Sequence, residues 1–125
     1  MRARRRGFTL IELLVVMAII ATLLTVALPR YFSALAGSRE AALRQTLGTT
    51  RDAIDKFHAD TGRYPDDLAS LVDRHYLRKA PFDPVSDSAT SWVLVAPPEG
   101  EKGNVYDLHS AAPGKARDGT DFTQW

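Results

Sequence analysis

Apolar residues dominate the stretch Phe8 to Leu28, and the single ionisable side chain within it is Glu12. Wound as a helix, such a run is long enough to cross a hydrocarbon core of about 30 Å. It is too long for the apolar region of a secretory signal peptide, and the pattern behind it continues as helix instead of opening at a cleavage site. Pro29 interrupts the pattern at its foot, where a missing backbone donor is expected to kink or locally melt the helix. Beyond it, Phe32, Leu35, Ala36, Ala42, Leu43, Thr46, Leu47, Thr50, Ile54 and Phe57 recur at helical spacing. Arg39, Glu40, Arg44, Arg51, Asp52, Asp55 and Lys56 fall mostly on the other faces, the mark of an amphipathic helix. The helix should stop near Thr61 and Gly62, with glycine as C-cap.

The second half changes character. Tyr64-Pro65-Asp66-Asp67 should open a short helix with Leu68, Leu71 and Val72 on one face, Asp66 and Asp67 serving as caps. Pro81 and Pro84 bracket Phe82 and Asp83 in an extended loop. Ser91 to Val95 is a strand by its β-branched and aromatic content, and Asn104 to Leu108 should pair back on it as a hairpin across the polar turn Pro97 to Gly103. From His109 to Trp125 there is loop without periodicity. Phe82 and Trp92 are expected in the core. The fold class is therefore α+β: a long N-terminal helix packed on a small antiparallel sheet with a C-terminal loop. Four regions follow: a leader 1–7, a membrane or filament-core helix 8–28, its amphipathic half 29–60, and a small head 61–125.

Charge sharpens this. The formal net charge is +1, but Arg2, Arg4, Arg5 and Arg6 crowd the first seven residues, and without them the side-chain sum is −3. A mildly acidic remainder gives no electrostatic reason to expect nucleic acid as a partner. Basic residues beside an apolar span mark the side that stays cytoplasmic. With no cysteine there is no disulfide framework, thiolate metal site or cysteine nucleophile. His58, His75 and His109 lack zinc-ligand spacing, and there is no Gly-x-Ser-x-Gly, phosphate loop or paired acid/base signature. A membrane-tethered enzyme or binding module would need a convergent polar site in residues 62–125, and the sequence displays none.

The chemistry lies at the start of the apolar run, in Gly7-Phe8-Thr9-Leu10-Ile11-Glu12. Glycine lets an extended backbone enter a protease cleft with no side chain in the way. A lone carboxylate in hydrocarbon costs about 2.5–3.5 kcal/mol on insertion scales, so Glu12 should have a partner and a function. A cut between Gly7 and Phe8 would create an amine on Phe8 at matching depth. That amine in one subunit can meet Glu12 of the next and set axial register in a polymer.

These residues, with Pro29, resemble the class III signal of type IV pilins and type II secretion pseudopilins. The resemblance implies a peptidase that cuts after Gly7 and N-methylates Phe8, with Phe8, Glu12 and Pro29 serving assembly. The rest of the chain resembles the major pseudopilin of type II secretion, through Thr61-Gly62-Arg63-Tyr64-Pro65, Leu77 to Pro84, Val105-Tyr106-Asp107-Leu108 and a loop finishing at Trp125. Adhesive type IV pilins usually close that loop with a disulfide, which this chain cannot form. The implied protein is a structural subunit that passes from the bacterial inner membrane, N-terminus cytoplasmic, into a periplasmic pseudopilus driving protein export. Implied partners are further copies of the chain, prepilin peptidase, minor pseudopilins, the inner-membrane assembly platform, and lipid before assembly. The alternative is a type IV pilin or minor pilin for adhesion, motility or DNA uptake. In the resembled family the final loop binds calcium, a hard cation suited to oxygen ligands. Asp118 and Asp121 match its late acidic cluster, and the Leu108 carbonyl lies where a backbone ligand is expected. The family's Leu-Gly-Ala-Asp-Gly is here Leu108-His109-Ser110-Ala111-Ala112, so one aspartate is replaced by Ala111, and Ser110 or water would have to complete the shell.

Overall fold

The structure, a computed structural model, describes residues 3–125; Arg2 of the basic leader lies outside the described residues. Helix α1 spans Leu10–Thr61, 52 residues, and is long and apolar enough in its first part to cross a membrane. Helix α2 is Leu68–Asp73, strand β1 is Val93–Val95, strand β2 is Asp107–His109, and a single 3-10 turn covers Phe122–Gln124. Internal contacts divide the chain into two compact units, one ending at Ala36 and one running Gly37–Trp125, and α1 contributes to both.

In the first unit the apolar side chains face outward on every side of the helix: Phe8 is 90% exposed, and Ile11, Leu14, Ile19, Leu23 and Val26 are all exposed. An all-round apolar helix of this kind belongs in lipid or among other helices. Pro29 does not interrupt the helix in the subunit, where α1 runs on through it. The proline removes one bond from a long ladder, and the remaining bonds on either side hold the helical path.

In the second unit α1 buries one stripe: Leu43, Leu47, Thr50, Ala53, Ile54 and Phe57. The i, i+3, i+4 spacing puts these on one face, and Leu71, Val105, Leu108, Ala112, Ala116 and Phe122 close over them as the core. The hydroxyl of the buried Thr50 is satisfied within the helix by the Thr46 carbonyl at 2.7 Å. Phe32 and Ala42, expected on the apolar face, are exposed. The helix stops at Thr61 as expected, with Gly62 at φ +73°. Asp67 caps α2, its carboxylate accepting from the Ser70 amide at 2.8 Å.

Strands β1 and β2 pair antiparallel, Val93 opposite His109, Leu94 opposite Leu108 and Val95 opposite Asp107. The hairpin is real but shorter than its β-branched content suggests, and its second strand starts three residues late. The reason is competition for backbone donors. The amides of Asn104 and Val105 both donate to the Pro65 carbonyl, at 3.1 and 3.0 Å, so Tyr106 is the first residue whose amide reaches β1, at the Val95 carbonyl. Trp92 precedes the strand, packs against the core and donates its indole N–H to the Pro81 carbonyl at 3.0 Å. Phe82, expected in the core, is 44% exposed; the buried residue of that loop is its neighbour Asp83. The Asp83 carboxylate accepts from the amides of Val85 and Ser86 and from the Ser110 hydroxyl, which is what makes its burial tolerable.

Candidate processing and assembly site

The residues singled out by sequence fall at two places. Gly7 and Phe8 precede the helix and are exposed, and a side chain at Gly7 would meet nothing within 4 Å. Nothing in the subunit's own packing requires glycine there. Thr9 is the N-cap of α1 and Glu12 its third helical residue. The Glu12 amide donates to the Thr9 hydroxyl oxygen at 3.2 Å, and the Thr9 amide donates to the Glu12 carboxylate at 3.1 Å. This reciprocal capping box satisfies two backbone donors that have no intrahelical partner, and it holds a negative charge at the positive end of the helix dipole. In hydrocarbon, where no water can serve those amides, the pairing also gives the carboxylate a local partner before any second subunit arrives.

Further along the apolar helix, the Thr22 hydroxyl donates to the Ala18 carbonyl at 2.8 Å and the Thr25 hydroxyl to the Thr22 carbonyl at 2.6 Å. Such back-bonding hides polar groups from lipid while loosening the helix locally. Pro29, lacking an N–H, leaves the Thr25 carbonyl without its ladder donor. One stretch of α1 thus carries three departures from an ideal helix.

The second place is the C-terminal loop. The Leu108 carbonyl accepts from the Arg51 guanidinium at 2.9 Å. Arg51 also donates to Asp107 Oδ1 at 2.8 Å and to the Trp125 main-chain oxygen at 2.8 Å. Asp118 accepts from the amide and hydroxyl of Thr120, at 2.9 and 2.6 Å, and from Arg44 at 3.1 Å. The Thr120 hydroxyl and amide, then Arg44, hold the Asp118 carboxyl below the usual carboxylate range. Asp121 precedes the 3-10 turn without capping it through its side chain, and its backbone bridges to Lys115. The Ser110 hydroxyl, the remaining nearby oxygen, is engaged with buried Asp83. Among the described residues no group of three or more acidic or histidine side chains gathers in an arrangement that could hold a metal. The oxygens proposed for calcium therefore fit it poorly, because guanidinium already stands against two of the three. The sequence places Arg44 and Arg51 mostly off the apolar face, one turn either side of Leu47, and no local feature marks them as reaching the C-terminal loop.

A family model described as the prokaryotic N-terminal methylation motif matches residues 2–28. Over most of its length the chain is similar to the type II secretion system core protein G of Escherichia coli strain K12, at 34% identity over 98% of this chain and 92% of the relative. The core protein G of Klebsiella pneumoniae is 31% identical over 98% of this chain and 95% of its own. The fimbrial protein EcpC of Eikenella corrodens is 32% identical over 93% and 78%. No solved structure matches the chain significantly. With its N-terminal methylation signal, its exposed apolar helix capped by Thr9 and Glu12, and this extent of similarity, the chain belongs to the type II secretion core protein G family of pseudopilins, within the type IV pilin-like superfamily.

Proposed function

We propose that the chain is a non-enzymatic structural subunit of a type II secretion pseudopilus. It is inserted in the bacterial inner membrane with the basic leader cytoplasmic, cut after Gly7, methylated on Phe8 and polymerised into a periplasmic filament that drives protein export. The observation that carries this reading is the outward-facing apolar surface of α1, broken by one carboxylate held at the helix start. The cap that Glu12 makes with Thr9 could be made by an uncharged glutamine, so an anchor alone would not need a charge at that depth. In a polymer, that charge meets the Phe8 amine of a neighbour. Prepilin peptidase, minor pseudopilins and the inner-membrane assembly platform are the partners this work requires.

Mass spectrometry of the mature N-terminus tests processing, and electron microscopy of filaments from overexpressing cells tests assembly. A chain still beginning at Met1 in a host with active prepilin peptidase would overturn the proposal. The similarity to a fimbrial protein favours a second reading, a type IV pilin for adhesion, motility or DNA uptake. Deleting the gene separates the two: lost exoprotein secretion belongs to the first, lost surface filaments with intact secretion to the second.

A further inference from the structure

The loop after β2 is held by positive charge from the chain itself. Arg51 lies on the flank of α1 and reaches three acceptors that are 56 to 74 residues away in sequence: Asp107, the Leu108 carbonyl and the Trp125 main-chain oxygen. His109 Nδ1 lies 2.6 Å from that same Trp125 oxygen. Since a main-chain oxygen can only accept, Nδ1 carries the proton. Arg44 binds Asp118 and stands with its guanidinium carbon 4.1 Å over the Trp125 ring. The indole N–H of Trp125 donates to Thr120 at 2.7 Å, and Thr120 in turn donates to Asp118. Glu40 closes the far end by accepting from the Arg117 amide and side chain, at 2.9 and 3.2 Å.

From this we infer that Arg51, with Arg44, occupies the place of a structural cation, so that the C-terminal loop is closed by guanidinium and neither binds nor needs calcium. Two lines converge. The Leu108 carbonyl, the Ser110 hydroxyl and Asp118 are each engaged by another side chain. Ala111 supplies no carboxylate where a further ligand would be needed. A planar guanidinium with five donors in a fixed fork suits an assembly of carbonyls and a carboxylate, and a lysine ammonium on its flexible stem does not.

The test uses the full chain in detergent micelles, with Trp92→Phe so that fluorescence reports Trp125 alone. Melting curves with millimolar calcium chloride and with chelator should superimpose, and acrylamide quenching of Trp125 should be the same in both. A higher midpoint with calcium, or a lower one with chelator, overturns the inference without any further variant. Arg51→Met should lower the midpoint by roughly 5 °C or more, raise quenching of Trp125, and gain nothing from added calcium. Arg51→Lys keeps the charge and folds if Met does not; its Trp125 should still be more quenchable than wild type, because one ammonium cannot span the three acceptors. Quenching unchanged in Arg51→Lys would show that the fork is not what closes the loop.

Discussion

Thr9 and Glu12 cap one helix turn reciprocally, each backbone amide donating to the other's side chain, so the carboxylate expected to meet a neighbouring subunit is already in use within its own. Cap and counter-charge are separable by substitution. Glutamine serves a capping box as glutamate does but carries no charge. Glu12→Gln should therefore insert, be processed and keep its helix start, yet fail to polymerise. Glu12→Ala should insert at least as readily, since it removes a costly charge from hydrocarbon, and should also fail to polymerise. Filament yield by electron microscopy decides: normal filaments from Glu12→Gln would assign the residue's role to the cap.

Gly7 has open space around it, so a larger residue there disturbs nothing within the subunit. Gly7→Val should accumulate as full-length precursor in the membrane fraction while its thermal midpoint equals that of the uncut wild-type chain. Efficient cleavage of this variant would show that the peptidase cleft does not need glycine.

In the filament, the backbone between about Ala21 and Pro29 should be partly unwound. The Thr25 hydroxyl bonds back to the Thr22 carbonyl, and Pro29 leaves the Thr25 carbonyl without its usual donor. Pro29→Ala restores that donor and should yield a continuous helix. A wild-type filament map showing unbroken α-helix from Phe8 through Phe57 would defeat this expectation.

Gly103 sits at φ +107°, and a side chain there would come within 2.1 Å of the Tyr64 carbonyl oxygen. The turn is pinned against that strand of chain by the Tyr64 amide, which donates to the Lys102 carbonyl at 2.8 Å. Gly103→Ala should cost at least the roughly 1–3 kcal/mol of a residue forced into a sparse backbone region, read as a lower thermal midpoint. Gly100→Ala shares the positive φ but has open space around it, and should cost less.

Asp118 gives the loop a pH dependence of definite sign. Its carboxyl is held below the usual range by Thr120 and Arg44, so the native state favours the ionised form. That stabilisation is fully present above the unfolded carboxyl pKa of about 3.9 and is lost as pH falls through the lower native value. Quenching of Trp125 should accordingly rise only in strongly acidic solution, and Asp118→Asn should remove the transition.

The long helix, its stop at Gly62 and the short capped α2 were legible because each rests on residues close in sequence. Leu43, Leu47, Ile54 and Phe57 announce their face by spacing alone. The register of β2 was not legible, since it depends on Asn104 and Val105 giving their amides to Pro65, a partner some forty residues upstream. The guanidinium clamp was hidden for the same reason. Nothing adjacent to Arg51 distinguishes it from Asp52 or Lys56, and its acceptors lie on a loop whose path no periodicity describes. The capping box was within reach, because Thr9 three residues before Glu12 is a local signature that was overshadowed by the charge itself.

The outward apolar face of α1 has a consequence for traffic. Lipid tails and the side chains of neighbouring copies are equally apolar, so exchanging one for the other changes little in hydrophobic free energy. A subunit can then leave the bilayer for the filament, or fall back, along a nearly level path. Such a surface makes the membrane a reservoir and leaves the direction of movement to be imposed from outside the apolar face.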